Sequence, residues 1–499
     1  ASEKLEGRFT GSQGARLASK YVADLFASYG IEPAGNKHSW FQTFPFTKGV
    51  RLGKENFLRM ENKTRIAFEL DKNWRPIAFS DTAAKDSRDV VFAGYGLRTP
   101  SVDGFSEYDS YVHLDVKDKW VMVFRYLPNG WEKKRKDKFA SHAALRKKAS
   151  LARDLGAAGI LFVTGPNAEN RKELVSFFPD AAGSAMSLLA ATIDDRLASN
   201  IFTLAGKNLK SVHNVFDKGE PVMGFPLKGV QLESEIEIIR EKGTGRNILG
   251  WLRAGKKPSK QFIVIGAHLD HVGKGRVGSR AKKNAKKKIH PGADDNASGI
   301  AVLLEIAQFL ADLKKRGLLK MNFDICFAAW SGEEIGLVGS AHYARELEKT
   351  VKASDENASL PIIAYLNLDM VGRYKEKLTL HGIGSGEGWL PIIEKANVPV
   401  GLNLNPQNDS HLPTDTTSFY SRGVPILSAF TGLHQDYHSP TDTADKLNYE
   451  AAADCGKLLS RVIMELLQRD SPIPYKSLAA PKRQSRGRLT AYLGTIPDY

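Results

Sequence analysis

Phe262-Ile-Val-Ile-Gly-Ala-His268-Leu-Asp270-His271 is the stretch on which the fold turns. The short apolar run Phe262 to Ala267 reads as a strand, and it delivers an imidazole and a carboxylate two residues apart, pointing the same way off its end. Working outward, an apolar helix follows at Gly299 to Leu310, then a strand at Phe323 to Trp330, a helix near Ser340 to Leu347, and strands at Ile362 to Leu368 and Val424 to Phe430. This alternation predicts a three-layer α/β arrangement, in which ligands bind at the carboxyl ends of the strands.

Upstream, Leu17, Tyr21, Leu25 and Tyr29 recur every fourth residue, with Val22 and Phe26 alongside, so an amphipathic helix is expected over Gln13 to Tyr29, stopped by Gly30. Between these regions the pattern changes to short β-rich runs, Asp89 to Gly94, Trp120 to Tyr126 and Gly159 to Val163, with a helix at Ala140 to Leu155 before the last. That segment reads as an inserted module.

The composition is that of an ordinary globular chain: 499 residues, 42% hydrophobic and 25% charged, with 71 Lys+Arg against 56 Asp+Glu for a formal charge of +15. It excludes a disordered or collagenous protein, and no apolar run approaches the roughly 20 residues that cross a bilayer. Two cysteines, Cys326 and Cys455, make neither a disulfide scaffold nor a cysteine metal site, and are read as small buried hydrophobes. Basic runs at 133–138 and 146–148 carry no aromatic interleaving, so no specific nucleic-acid binding is expected.

The chemistry lies at the strand ends. His268-x-Asp270 alone is more often a structural hydrogen bond, and Asp294-Asp295-Asn296-Ala-Ser298 alone is a helix cap. The strand ending at Trp330, however, leads to Glu333-Glu334, and crowded carboxylates at a buried strand end cost energy unless a cation or proton compensates them. Asp369 follows the next strand, and His434-Gln-Asp436-Tyr437-His438 follows the last. Two histidines and three carboxylates, without sulfur, suit a pair of divalent ions sharing a bridging carboxylate, with a spare Glu as general base.

The series Ala267-His-Leu-Asp-His-Val-Gly273, Pro291-Gly-Ala-Asp-Asp-Asn-Ala-Ser-Gly299, Trp330-Ser-Gly-Glu-Glu-Ile-Gly336, Asn367-Leu-Asp-Met-Val-Gly-Arg373 and Asp436-Tyr-His-Ser-Pro-Thr-Asp442 resembles the family twenty-eight zinc metallopeptidases, the di-zinc aminopeptidases and their glutamate carboxypeptidase relatives. Arg8-Phe-Thr-Gly-Ser12 is similar to that family's opening. The resemblance implies a three-layer α/β/α fold with a mixed central sheet and two Zn2+ ions, His268 and Asp369 on one, Glu334 and His438 on the other, and Asp295 bridging, with a cis peptide to Asn296. Co or Mn suits the same donors. It further implies Glu333 as general base and acid, Asp270 as the carboxylate that orients His268, and Tyr437 as donor to the oxyanion. The implied activity is exopeptidase cleavage of peptides, by an aminopeptidase using a hydroxide activated between the two ions. A carboxypeptidase, a single-zinc glutaminyl cyclase and a non-catalytic binding scaffold remain as alternatives, with Arg373 and the basic loop from Lys274 to Lys288 kept open as partners for a terminal carboxylate.

The module around Leu155-Gly-Ala-Ala-Gly-Ile-Leu-Phe-Val163 resembles a protease-associated domain. The expected organisation is therefore 1–60 and 226–470 for the peptidase, 61–225 for the insert, and a tail at 471–499 similar to the start of a PDZ domain. Two departures from the family stand out. Pro413-Thr-Asp415-Thr416 has Thr where relatives carry His, and the loop from Lys274 to Lys288 is strongly basic, either a solvated loop or a collar for acidic peptides. The resemblance, with the missing initiator Met, leads to an expected exported location, periplasmic or secreted.

Overall fold

The computed structural model describes residues 1–61, 65–168, 174–177, 185–275, 278–281 and 288–478. The chain divides into two compact units; among the described residues, one comprises 1–46 with 243–478 and the other 47–242. The second is wider at both ends than the 61–225 expected, because long strands, Phe41–Leu52 and Ile238–Leu252, carry the chain across each boundary.

In the first unit, helix α1 (Gln13–Ser28) precedes strands β1 (Ile238–Leu252) and β2 (Phe262–His268). Then come α2 (Gly299–Lys315), β3 (Asp324–Trp330), α3 (Val338–Ser354), β4 (Ile362–Leu368), β5 (Leu378–His381), β6 (Leu404–Gln407), β7 (Ile426–Phe430) and α4 (Tyr449–Leu467). The sheet is mixed, in the order Glu32–Pro33, β1, β3, β2, β4, β7, β5, β6. Its middle, β3-β2-β4-β7, is parallel throughout, with His268 paired to Trp330 and Leu368 to Ala429, so four strand ends share one edge.

Each central strand is apolar on both faces, which is why the sequence shows runs rather than alternation. Ile263, Ile265 and Ala267 of β2 join the core beneath α1, α2 and α4, whereas Phe262 and Val264 join a second core with Tyr343, Ala344 and Phe419. Those are the two outer layers. The stretch Ala293–Lys315 does have the length and hydropathy of a membrane span, contrary to the reading of short apolar runs alone. Here it is a core helix, with Leu303, Ala307 and Leu310 fully covered.

Helix α1 ends as expected, but its core stripe is Ala15, Ala18, Val22, Ala23 and Phe26. Leu17 and Tyr21, chosen from the four-residue spacing, are 44% and 61% exposed. A strict spacing of four drifts by 40° per step on a 3.6-residue helix, and small alanines allow the closer approach. The helix expected over Ala140 to Leu155 forms only from Leu145 to Asp154, after a separate turn of 3-10 helix at Ala140–Ala143. Both cysteines are free and buried.

The second unit holds, among its described residues, eight strands in one mixed sheet around Ala83–Phe92, Trp120–Phe124, Gly159–Val163 and Leu189–Ile193, which are mutually parallel. Within it Tyr95 donates to Asp217, the ring of His213 stacks on Phe124 at 3.9 Å, and His213 Nδ1 accepts the Asn167 N–H at 3.3 Å. The last part of the tail expected to begin a further domain, and most of the basic loop, with Arg276, Lys282, Lys283, Lys286 and Lys287, lie outside the described residues.

Candidate metal centre

The parallel strand ends bring the candidate ligands together. His268 is the last residue of β2, Asp369 follows β4, and Ser331-Gly332 after β3 turn the chain into Glu333 and Glu334, Gly332 adopting φ +80°. The loop after β7 supplies His438, and the segment before α2 supplies Asp295. The Asp295–Asn296 peptide is cis. Asn296 ties this segment to β4, donating to Leu368 O at 2.8 Å while its Oδ1 accepts from Met370 N at 3.2 Å.

Asp295 is the hinge of the arrangement. Its Oδ1 lies 3.2 Å from His268 Nε2, which is also 3.4 Å from Asp369 Oδ1. Its Oδ2 lies 3.1 Å from His438 Nε2, which is 3.0 Å from Glu334 Oε2. One carboxylate thus faces two sets of nitrogen and oxygen donors. Among the described residues, Asp295 Oδ2 and His438 Nε2 are buried without a hydrogen-bond partner although they face each other, so the donor set fits divalent cations seated between these atoms.

Burial opposes charge throughout the cluster, and neighbours decide where charge persists. Burial, Glu334, Asp369 and Asp415 together push the Glu333 carboxyl well above the usual range, despite His268. Burial acts against the Asp295 carboxylate as well, yet His271, His268 and His438 outweigh it and hold that group well below its ordinary value. Glu333 Oε2 is 4.0 Å from His268 Nε2, beside the donor set.

Asp270 does not contact the imidazole as expected. Its carboxylate is 4.0 Å from His268 Nδ1, which instead meets the main-chain oxygen of Asp270 at 3.1 Å. The carboxylate accepts from Thr10 Oγ1 at 2.8 Å and from the Glu333 N–H at 3.2 Å, so it holds the general-base candidate. A two-residue separation at a strand end brought the backbone, not the side chain, into reach.

Tyr437 stacks on His438, with ring centroids 3.9 Å apart, and Arg280 sits 5.8 Å from its ring. Burial and then Asp295, Glu334, Glu333 and Asp369 push its hydroxyl up, so it keeps its proton. Asp294 faces away from the donors, accepting from Gly372 N at 2.7 Å and Ser298 Oγ at 3.0 Å. Arg373 Nη2 meets both Asp436 at 3.2 Å and Asp442 at 3.3 Å, while its Nε is buried without a partner among the described residues. Asp415 is buried, its Oδ1 has no partner among the described residues, and burial raises its carboxyl to about 7 against the pull of His268.

Three residues escaped the sequence reading. Arg8 is buried and donates to Leu269 O at 2.8 Å, Pro291 O at 2.6 Å and Gly292 O at 3.0 Å, clamping two of the ligand-bearing loops. Asp442 Oδ2 accepts from the backbone of Asp294 and Asp295 at 3.0 and 3.1 Å. His271 lies against Glu334 at 2.7 Å. Each sits in a stretch whose other residues drew notice; only their contacts mark them out.

Comparison with known proteins agrees with this picture. Residues 247–463 match the model described as Peptidase family M28. The chain is 24% identical over 269 residues to Aminopeptidase YwaD of Bacillus subtilis, covering 50% of this chain and 53% of that protein. It is 29% identical over 226 residues to an aminopeptidase of Pseudomonas aeruginosa, covering 45% of this chain and 32% of the relative. A probable zinc metalloprotease of Pyrenophora tritici-repentis is 32% identical over 252 residues, 45% of this chain and 52% of the relative. The aligned part therefore spans about half the length of these relatives or less. The solved aminopeptidase from Aneurinibacillus sp. strain AM-1 superposes with a TM-score of 0.56 at 20% identity, over 97% of this chain and 96% of the other, which shows the same fold. The five strand-end donors and this match together identify residues 247–463 as a domain of peptidase family M28.

Proposed function

We propose that the protein is a metal-dependent aminopeptidase working with two zinc ions. The observation that carries this reading is Asp295, one buried carboxylate whose two oxygens face His268 with Asp369 on one side and His438 with Glu334 on the other. When bound, the ions supply the Lewis acid that polarises a carbonyl and acidifies water. Glu333, beside the donor set with Oε2 4.0 Å from His268 Nε2, accepts a proton from the attacking water and passes it to the leaving amine. Asp270 fixes Glu333 through its N–H, and the neutral Tyr437 hydroxyl donates to the developing oxyanion.

The engagement of Arg373 by Asp436 and Asp442 favours an aminopeptidase over a carboxypeptidase, which needs a cation facing the terminal carboxylate. The second unit is read as a protease-associated domain, and the protein as exported; fractionation of the producing cells tests the latter. The decisive experiment is hydrolysis of aminoacyl-anilides against N-blocked peptides, with and without chelator, alongside Glu333→Ala. Chelator-sensitive release from free amino termini, lost in the variant, is expected. Cleavage of blocked peptides alone would make it a carboxypeptidase, and cyclisation of N-terminal Gln with one ion bound would make it a cyclase.

A further inference from the structure

We propose that His271 is a fourth protein ligand of one of the two ions, so that the two metal sites are chemically unequal; the inference rests on the two-ion reading above. The ligand set implied by the family resemblance gives each ion one imidazole. Here His271 is fully buried, and its Nδ1 lies 2.7 Å from Glu334 Oε1 and 3.6 Å from Asp295 Oδ2. These are the same two carboxylates that His438 Nε2 reaches at 3.0 and 3.1 Å.

The four residues converge on one region. His271 Nδ1 faces Glu334 Oε1 at 2.7 Å and His438 Nε2 faces Glu334 Oε2 at 3.0 Å, and both nitrogens face Asp295 Oδ2, at 3.6 and 3.1 Å; ligand bonds of about 2.0–2.1 Å reach donors at such separations. One ligand atom from each of His271, Asp295, Glu334 and His438 lies within 4.8 Å of every other. The two imidazole rings stand edge to face, 81° apart with centroids at 5.4 Å, so their nitrogens approach that region from different sides.

Two further observations hold His271 to this role. Its Nε2 is buried with no hydrogen-bond partner among the described residues, and its Nδ1 faces the carboxylates of Glu334 and Asp295. The ring packs on Gly292: a Cβ there, at φ +57°, would fall 2.3 Å from Asp295 O and 2.5 Å from His271 Cδ2, so the glycine admits both the Asp295 backbone and the ring.

The other set, His268 with Asp369 and the shared Asp295, has a single imidazole. Imidazole favours zinc, whereas carboxylate-rich sites accept harder ions such as Mn2+. The His271 site is therefore the tighter zinc site, and the His268 site the exchangeable one.

Titration of the metal-free full chain with Co2+, followed by visible absorption, tests this. The wild type is expected to take up two equivalents, the first at least tenfold tighter. In His271→Ala the tighter constant falls at least tenfold and the band of that site changes, and added imidazole, entering the space beside Gly292, restores it. His271→Asn keeps a donor for Glu334 Oε1 but lacks the ring nitrogen, so it behaves like His271→Ala if the nitrogen is a ligand. Wild-type affinity and spectrum in His271→Asn would reduce His271 to a residue that orients Glu334 and overturn the proposal. Unchanged constants in His271→Ala would do the same, with circular dichroism confirming the fold. Fewer than two equivalents in the wild type would instead overturn the two-ion reading itself.

Discussion

Glu333 and Glu334 are adjacent in the chain yet face different tasks. Glu334 meets His438 at 3.0 Å within the donor set, while Glu333 stands beside it, held by Asp270 through the backbone. Glu333→Gln is expected to lower kcat by about 10²–10⁴-fold, the usual worth of a general base, with metal content by elemental analysis unchanged. Asp295→Asn should behave differently. It removes a negative charge shared by both donor sets, so both metal equivalents weaken together in the same measurement. Arg8 is a third case: its planar fork serves three carbonyls of two loops, and a lysine cannot reproduce that geometry. Arg8→Lys leaves at least one buried carbonyl unpaired, a cost of about 1–3 kcal/mol, readable as a lower denaturation midpoint with weaker metal retention.

At the scale of elements, α1 separates apparent from real amphipathicity. Phe26, on the inner face of α1, is fully buried and touches Trp40 and Phe327, whereas Tyr21 is largely exposed. Phe26→Ala should cost about 3–5 kcal/mol in urea unfolding, and Tyr21→Ala less than about 0.5 kcal/mol; the reverse order would mean that the helix presents the other face. The four-residue spacing was legible and the helix correctly bounded. Its face was decided by alanines at Ala15, Ala18 and Ala23, which carry little hydrophobic signal but let the helix approach its neighbours. In the second unit, the loop and helix around His213 form a pH-sensitive element. Burial first, against Asp217, lowers the imidazole to about 4, and its Nδ1 accepts an N–H that protonation would oppose. An unfolded histidine titrates near 6.5, so between these values the unfolded chain binds more protons and stability rises with pH. The contribution is complete above pH about 6.5 and is lost as pH falls towards 4, on the order of 2 kcal/mol after allowance for solvent screening. His213→Gln should flatten that part of the stability profile of the second unit.

At the scale of the molecule, the candidate metal ligands all lie in the first unit, at the ends of β2, β3 and β4, in the segment before α2 and in the loop after β7. Ligands that bind only the folded state stabilise it by mass action, by about 4 kcal/mol at a thousandfold excess over Kd. Removing the ions with a chelator is therefore expected to speed amide exchange in the central strands of the first unit. The strands Trp120–Phe124 and Gly159–Val163, which carry none of these donors, should keep their wild-type exchange. Equal acceleration in both units would show that the donors do not hold the ions.

Local pattern in the chain was enough to place the central strands, the three-layer arrangement and the His, Asp and Glu clusters at the strand ends, while the choice within each cluster came from the family resemblance. An apolar run ending in His, Asp or Glu is legible because a strand places its last side chain at the sheet edge whatever lies far away. The tertiary structure alone decided that Asp270 holds Glu333 rather than His268, that Arg373 faces Asp436 and Asp442, and that Arg8 and His271 pack against the donor-bearing loops. These depend on contacts between residues such as Arg8 and Leu269, 261 positions apart, where no periodicity reaches. Side-chain chemistry is written locally, but its partners are chosen by the order of strands in the sheet.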